Sequence, residues 1–187
     1  MPARLMIPAA LLAASFAVTS ATAADDEVKV SPRVFLSVDK LPAGGTCDVA
    51  VLLTVEEGWH VYANPTAEDY QIPTKLSVRS TLGTTLVQTL YPAGKEVEVF
   101  GEKVRVYEGQ ALLFATVSVP ASAAGRTETL TFEVNHQACS DTNCLAPTTA
   151  SKPGPIPVAA AGERPKSVNP RIFAMKPRVA ATGTVIK

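Results

Sequence analysis

The sequence has few cysteines and no excess of charge of either sign, and both shortages exclude classes of protein. Three cysteines in 187 residues are too few for a domain built on disulfide bonds, so a hydrophobic core must stabilise the fold. The 17 lysines and arginines balance 17 aspartates and glutamates, which leaves no basic field for nucleic acid or an anionic membrane. We therefore expect a globular domain with no nucleic-acid partner.

Long apolar runs are missing after the N terminus, and the run found there is short. It occupies residues 5–18, follows a single basic residue, Arg4, and is succeeded by the small residues ATA before Ala24. This run is too short to span a bilayer, and the pattern is typical of a secretory signal peptide. We predict a signal peptide at residues 1–23, cleavage near Ala23, and an exported chain that does not insert into the membrane afterwards.

From residue 28 to residue 134, short runs of alternating apolar and polar residues are separated by turn residues. In TCDVAVLLTV the alternate apolar positions are Cys47, Val49, Val51, Leu53 and Val55. Such alternation predicts β-strands with one buried face, and about eight runs at even spacing predict an antiparallel sandwich. We therefore predict one all-β domain at residues 24–150, an immunoglobulin-like antiparallel β-sandwich.

Prolines accumulate in the last part of the chain, at positions 153, 155, 157, 165, 170 and 177. Proline cannot donate a ladder hydrogen bond, and few large apolar residues are present here to offset the entropy of ordering. We predict a short strand near residues 156–158 at most. The rest of a Pro/Ala-rich tail at residues 151–187 is expected to be mostly disordered, with RIFAMKP as a segment that could dock.

The cysteines allow two disulfide pairings. A Cys47–Cys139 bridge, with Trp59 between, imitates the immunoglobulin signature and would stabilise by roughly 4 to 5 kcal/mol, against about 2 for Cys139–Cys144. The long bridge leaves Cys144 unpaired in a loop, however. The short bridge leaves Cys47 on the apolar face of its strand, where a thiol is tolerated as a small hydrophobe. The short bridge is favoured, and both pairings stay open.

A short bridge that adds little stability fits a redox site, because labile disulfides are the ones used in exchange. Asp141 lies between the two cysteines, and no lysine or arginine is within five residues of either. A nearby carboxylate favours the neutral thiol, so we expect the pair to be attacked by a partner's thiolate rather than to attack unaided.

A metal site is the competing interpretation of this region. It would use His136, Cys139 and Cys144, with His60 as a fourth ligand. The cysteine spacing is loose for a zinc site and no second cysteine pair is present, so we expect neither a metal nor any other cofactor.

Three stretches carry a family resemblance: GWHVYANP with IPTKLSV, YPAGKEVEVFGEKVRVYEG, and LTFEVNHQACSDTNCLAP. In this order they resemble the N-terminal periplasmic domain of the DsbD family of thiol:disulfide interchange proteins, over residues 34–147. The resemblance implies a periplasmic domain in which Cys139 and Cys144 are the catalytic redox pair. It also implies that this pair passes reducing equivalents to or from thioredoxin-like proteins, with Cys144 forming the mixed disulfide.

The resemblance also implies a cap loop over the disulfide, which EVEVFGEK matches, so Val99, Phe100 and Gly101 are the candidate cap residues. Full-length family members continue into a membrane domain and a thioredoxin-like domain, which this sequence does not show. We therefore expect a separate membrane protein as electron donor. The alternative function is a non-catalytic immunoglobulin-like interaction module whose disulfide is structural.

Overall fold

The computed structural model describes residues 28–99 and 101–177, so the predicted signal peptide at residues 1–23 and the cap candidate Phe100 lie outside the described residues. The described chain is almost entirely β-structure. Its strands are β1 (Val30–Leu36), β2 (Thr46–Val55), β3 (His60–Tyr62), β4 (Lys75–Ser80), β5 (Thr85–Leu90), β6 (Lys95–Val99), β7 (Glu102–Glu108), β8 (Gln110–Ser118), β9 (Thr127–His136), β10 (Ala138–Cys139) and β11 (Thr148–Pro157). A 3-10 turn at Ala121–Ala123 and the short helix α1 at Pro170–Phe173 complete the elements.

The strands form three antiparallel sheets. Their orders are β1-β2-β8-β5, β11-β9-β4 and β10-β3-β7-β6. The inner faces of the first two sheets share one hydrophobic core, to which Val51 and Leu113 contribute from one sheet and Phe132 and Val134 from the other. The predicted immunoglobulin-like antiparallel β-sandwich is confirmed. The two edge strands of the third sheet are β10, which ends at Cys139, and β6, which ends at Val99.

The alternation in the sequence predicts burial in β2 correctly. Cys47, Val49, Val51, Leu53 and Val55 are all 3 % exposed or less. Because β2 lies between β1 and β8, its backbone is paired on both sides, and its apolar side chains form the centre of the core. The strand is therefore a central element of the first sheet, and its side chains share a core with Val61, Tyr107 and Ala138 of the third sheet.

The proline-rich region differs from the prediction, because β11 runs over ten residues where the sequence predicts at most a three-residue strand. It pairs with β9 from Thr148↔His136 to Pro157↔Thr127 and is an edge strand. The prolines at 153, 155 and 157 are spaced by two, so all their missing N–H groups fall on one edge of the strand. The other edge keeps its donors for β9, and the prolines do not interrupt the ladder.

Residues 158–177 are also ordered, which corrects the prediction of a mostly disordered tail for this part of the chain. We call them the C-terminal strap. The ring of Phe173 packs edge-on against Phe114 with centroids 6.2 Å apart, and Lys176 Nζ lies 2.6 Å from Asp48 Oδ1. The segment RIFAMKP therefore docks on the first sheet, and the two contacts supply apolar burial and charge pairing that composition alone does not reveal.

Candidate functional site

The two neighbouring cysteines form a disulfide bond, Cys139–Cys144, and Cys47 is a free cysteine. The short pairing is therefore the one present, and the alternative bridge between Cys47 and Cys139 is not formed. Cys47 is 2 % exposed on the apolar face of β2, and burial raises the pKa of its thiol. The disulfide belongs instead to the edge of the third sheet, away from this buried thiol.

The two halves of the disulfide differ in exposure. Cys139 ends β10, whose backbone pairs with β3, and it is 0 % exposed. Cys144 follows a turn at residues 140–143 and is exposed, as are the residues on either side of it. The Cys144 end of the bond is therefore the end that is open to solution.

The turn at residues 140–143 has the sequence Ser-Asp-Thr-Asn, and its polar side chains explain its shape. The Ser140 N–H donates to the Asn143 carbonyl at 2.7 Å, and Ser140 Oγ accepts from the Asn143 N–H at 3.2 Å. After the turn, the Leu145 N–H donates to the Ala138 carbonyl at 2.9 Å. These bonds hold Cys144 beside Cys139 but outside the sheet.

Strand pairing brings His60 next to the disulfide. Cys139 is the direct partner of His60 on β3, and His60 is the direct partner of Glu108 on β7. Directly paired residues on antiparallel strands project from one face, with Cβ atoms about 4.5–5.5 Å apart. Tyr62 projects from the same face, and its ring lies edge-on to the imidazole with centroids 6.2 Å apart. We call this face of the third sheet the disulfide face.

The opposite face of the third sheet packs into the main core through Val61, Tyr107 and Ala138. Core packing on that side fixes the positions of β3, β7 and β10. The side chains of the disulfide face therefore project from a rigid support, on the side of the sheet away from the main core.

His60 is buried on this face, at 4 % exposed, and its Nε2 has no hydrogen-bond partner. Burial lowers the pKa of the imidazole, and the carboxylates of Glu108 and Asp141 act in the opposite direction. The imidazole is therefore predominantly neutral at pH 7. The sequence suggests His60 only as a fourth metal ligand. Its pairing with Cys139 could not be predicted, because β3 and β10 have three and two residues and are too short to show an alternating pattern.

The cap candidates lie at the hairpin of β6 and β7. Val99 ends β6 and is 7 % exposed in a small apolar cluster with Val104 and Val106. Gly101 is exposed in the turn at φ 81°, a conformation that glycine adopts without strain, and Phe100 is not among the described residues. The register across β3, β7 and β6 puts Val99 on the disulfide face, with β3 and β7 between it and Cys139. Val99 pairs with Glu102, however, six residues along β7 from Glu108, the partner of His60, so the strand register does not place Val99 beside Cys139.

Within residues 28–99 and 101–177, no group of three or more His, Cys, Asp or Glu side chains is placed to hold a metal ion. Cys139 and Cys144 are bonded to each other and offer no thiolate ligand in this state. His136 is buried on β9, its Nδ1 lies 3.0 Å from the Val134 carbonyl oxygen, and burial lowers the pKa of its imidazole. In this same described part of the chain, no helix has the length and apolar character needed to cross a membrane.

A β-sandwich that exposes one end of a disulfide at a sheet edge has the arrangement expected of a domain that takes part in thiol-disulfide chemistry. The sequence matches the family described as thiol:disulfide interchange protein DsbD, N-terminal, over residues 27–154. This match covers more than half of the chain, and the chain belongs to that family. Membership supports involvement in thiol-disulfide interchange and does not favour the non-catalytic module.

Several solved structures are similar to this chain at low identity. The reduced DsbD N-terminal domain of Neisseria meningitidis is 19 % identical, with 70 % of this chain and 92 % of that chain covered and a TM-score of 0.43. The N-terminal periplasmic domain of ScsB from Proteus mirabilis is 11 % identical, with 73 % and 49 % covered and a TM-score of 0.49. The complex of the DsbD and PilB N-terminal domains from Neisseria meningitidis gives 20 % identity, 68 % and 84 % coverage and a TM-score of 0.40. No curated protein matches the sequence with significance.

Proposed function

We propose that this chain is a periplasmic thiol-disulfide exchange protein that relays reducing equivalents through Cys139 and Cys144. The observation that carries the proposal is the unequal exposure of the two cysteines, in a chain that belongs to a thiol:disulfide interchange family. One sulfur is held against the sheet while the other is open to solution. Exchange through a mixed disulfide requires this division between a cysteine that meets the partner and a cysteine that resolves the intermediate.

The proposed reaction has two steps when the pair reduces a partner. The thiolate of Cys144 attacks one sulfur of the partner disulfide, whose S–S bond breaks with its electron pair on the other partner sulfur. Cys139 then attacks Cys144 Sγ, which closes the Cys139–Cys144 disulfide and releases the first partner sulfur as a thiolate. Two electrons pass to the partner, and the two thiol protons finish on the partner's sulfurs. The same steps in reverse reduce this chain.

The partners we propose are thioredoxin-like proteins. The turn that carries Cys144 contains Asp141 and no basic residue, and this disfavours the Cys144 thiolate in the free protein. A docking partner can compensate by excluding water and by presenting a helix N-terminus, which stabilises a thiolate. Docking then activates the cysteine, and exchange occurs with the proper partner rather than with free thiols.

The cap is proposed to protect the exposed end of the bond. The β6–β7 hairpin presents Val99 on the disulfide face, and Gly101 allows the tight turn that follows. An apolar side chain over the disulfide would exclude small thiols until a partner displaces it. We propose Val99 and Phe100 for this role, with Gly101 as the hinge of the turn.

The compartment and the electron source complete the proposal. The N-terminal residues 1–23 are proposed to direct export to the periplasm, where an exchange protein meets oxidised clients. The electron donor is proposed to be a membrane protein with its own reactive thiol pair. Electrons then move from donor to Cys139–Cys144, and from this pair to the client.

The reduction potential of the disulfide tests the proposal. A relay must be reducible by its donor, so we expect a potential above about −300 mV, in the range of known exchange proteins. The measurement is equilibration with defined mixtures of reduced and oxidised dithiothreitol or glutathione, followed by alkylation and intact mass. A potential below about −300 mV would identify a structural bridge and would contradict the relay.

A further inference from the structure

We infer that His60 accepts the proton of the Cys139 thiol when Cys139 resolves the mixed disulfide between Cys144 and a partner. This inference rests on the proposed exchange function and deepens it, because it assigns the residue that activates the buried cysteine. The chain needs such a residue, since a thiol that is shielded from water cannot readily give its proton to solvent.

Backbone pairing supplies the geometry. Cys139 and His60 are direct partners between β10 and β3, so their side chains project from the disulfide face with Cβ atoms about 4.5–5.5 Å apart. An imidazole nitrogen and a cysteine sulfur fit within that separation. Because the strands hold both backbones, the pair stays adjacent when the disulfide opens.

The unsatisfied nitrogen supplies the second observation. His60 is 4 % exposed, and its Nε2 is buried with no hydrogen-bond partner. Buried polar nitrogens in native proteins are usually paired, and an unpaired one in a site has a cost that the function must explain. A thiol at Cys139 in the reduced protein would give this nitrogen the donor that it lacks in the disulfide form.

The charges around His60 suit a temporary proton acceptor. Glu108 faces it from β7, Asp141 acts on it from the turn, and the Tyr62 ring lies beside it on β3. The Glu108 carboxylate is also paired with Lys95 of β6 at 2.8 Å. Burial lowers the pKa of the imidazole and so favours its neutral form. In the tautomer that carries the proton on Nδ1, the unpartnered Nε2 can accept a proton. The two carboxylates then stabilise the imidazolium that forms.

The step balances as follows. Nε2 of neutral His60 takes the proton from Cys139 Sγ, and the thiolate attacks Cys144 Sγ. The Cys139–Cys144 bond forms, the bond between Cys144 and the partner breaks, and the electron pair leaves on the partner sulfur. The imidazolium then returns its proton through solvent to the released thiolate. No other oxidant or reductant is required.

Ellman's reagent, 5,5′-dithiobis(2-nitrobenzoate), separates the two steps in the full-length protein once its disulfide has been reduced and the reductant removed. Attack by Cys144 releases one thionitrobenzoate, and resolution by Cys139 releases the second, while Cys47 is buried at 2 % exposed. We expect His60→Phe and His60→Gln to slow the second release by about tenfold or more at pH 7, because neither side chain can accept the proton. The first release should change less than about twofold.

The pH profile distinguishes proton transfer from packing. In the variants the second release should rise about tenfold per pH unit until Cys139 itself ionises, while the wild-type rate should level off at the pH where His60 titrates by NMR. His136→Phe removes the other buried histidine, which has no cysteine as its strand partner, and should leave both releases unchanged.

Three outcomes decide the inference. If either folded His60 variant keeps the wild-type rate and profile for the second release, His60 is not the acceptor. If the wild type levels off at a pH unrelated to the His60 titration, the inference also fails, and this measurement needs no variant. If the wild-type protein releases only one thionitrobenzoate, Cys139 does not resolve, and the proposed exchange function fails before His60 is considered.

Discussion

Cys139 is fully buried at the end of β10, whereas Cys144, to which it is bonded, is exposed after the turn at residues 140–143. The two sulfurs of one bond therefore differ in access. In the proposed reaction a bulky partner thiolate reaches the exposed end, and the buried cysteine completes the reaction from inside the domain. The roles of the two cysteines follow from this difference and can be tested separately.

Substitution of each cysteine should separate these roles. With Cys139→Ser, the exposed Cys144 has no resolving partner, so it should trap a thioredoxin-like protein as a stable mixed disulfide. With Cys144→Ser, trapping should fall by at least about tenfold, because Cys139 is shielded. The measurement is non-reducing electrophoresis with intact mass, after incubation with a thioredoxin-like domain that lacks its resolving cysteine and whose remaining cysteine is activated as its mixed disulfide with thionitrobenzoate, which leaves as a thiolate when Cys144 attacks.

A Cys47→Ser variant serves as the matched control, since Cys47 is a free buried thiol outside the disulfide, and it should not trap. Stronger trapping by Cys144→Ser than by Cys139→Ser would reverse the assignment. Trapping by neither variant would indicate that the Cys139–Cys144 disulfide is structural.

The cap gives the second prediction. If apolar side chains at the hairpin shield the disulfide, Phe100→Ala or Val99→Ala should increase the rate of reduction by glutathione severalfold. Val99 is part of the small cluster, so its substitution should also cost about 1 kcal/mol of stability. The measurement is the pseudo-first-order rate of thiol appearance under native conditions.

Val104→Ala is the control for the cap, because Val104 belongs to the same cluster on the disulfide face but lies on β7, inside the sheet and away from the hairpin turn. It should lose similar stability without a faster reaction. Equal acceleration by Val104→Ala would mean that the cluster acts only through local unfolding. Unchanged rates in both Val99→Ala and Phe100→Ala would remove the cap from the proposal.

Strand alternation explains why so much of the fold is predictable from the sequence. β2 and β9 are long, paired on both sides and buried on one face, so their period of two is plain. β6 also alternates, as Lys-Glu-Val-Glu-Val, but its resemblance to a cap loop draws attention to the turn rather than to the strand. The same residues form a strand and match a cap loop, and the sequence does not separate the two descriptions.

The proline-rich segment shows where composition misleads. Counting prolines at 153, 155 and 157 predicts at most a short strand near residues 156–158, whereas their spacing by two is compatible with a long edge strand. In the site, the exposure of Cys144 is predictable because a polar turn precedes it. The proximity of His60 is not predictable, because it depends on a pairing between two very short strands that are distant in sequence.

The docked strap supports a third prediction. Phe173 packs on Phe114, and Lys176 pairs with Asp48 on the first sheet. Phe173→Ala should therefore lower the free energy of unfolding by about 1 to 3 kcal/mol, through lost burial and the aromatic contact. Met175→Ala, at a neighbouring position that is 60 % exposed, should have a smaller effect. Urea unfolding measures both, and equal stability of wild type and Phe173→Ala would mean that the strap is not packed in solution.

The last prediction concerns Glu128, a carboxylate that is 0 % exposed on β9. It tests the stability of the fold and not the exchange reaction. Its Oε1 accepts hydrogen bonds from the Thr81 N–H, the Thr81 hydroxyl and the Leu82 N–H, at 2.8, 2.8 and 3.0 Å. Its Oε2 accepts from the hydroxyls of Ser80 and Thr84, both at 2.8 Å. One side chain thus ties β9 to the connection between β4 and β5.

Burial by itself would raise the pKa of Glu128, but the hydrogen bonds from Ser80, Thr81 and Thr84 outweigh it and lower the pKa to about 2. A carboxyl whose pKa is lower in the folded state than in the unfolded state stabilises the fold at pH values above its unfolded pKa, near 4.5. This contribution is lost as the pH falls from about 4.5 to about 2, and its size is up to about 3 kcal/mol.

Glu128→Gln should test this account, because it keeps the shape and removes the charge. We expect it to lower stability at pH 7 by about 2 to 3 kcal/mol, and to flatten the loss of stability between pH 4.5 and pH 2. Glu133→Gln on the same strand is the control, since Glu133 pairs with an exposed Arg79 and should change stability by less than about 1 kcal/mol. Urea unfolding from pH 2 to pH 7 measures both variants against wild type. If Glu128→Gln keeps the acid dependence of wild type, other carboxylates cause it, and the hydrogen bonds to Glu128 are weaker than their geometry indicates.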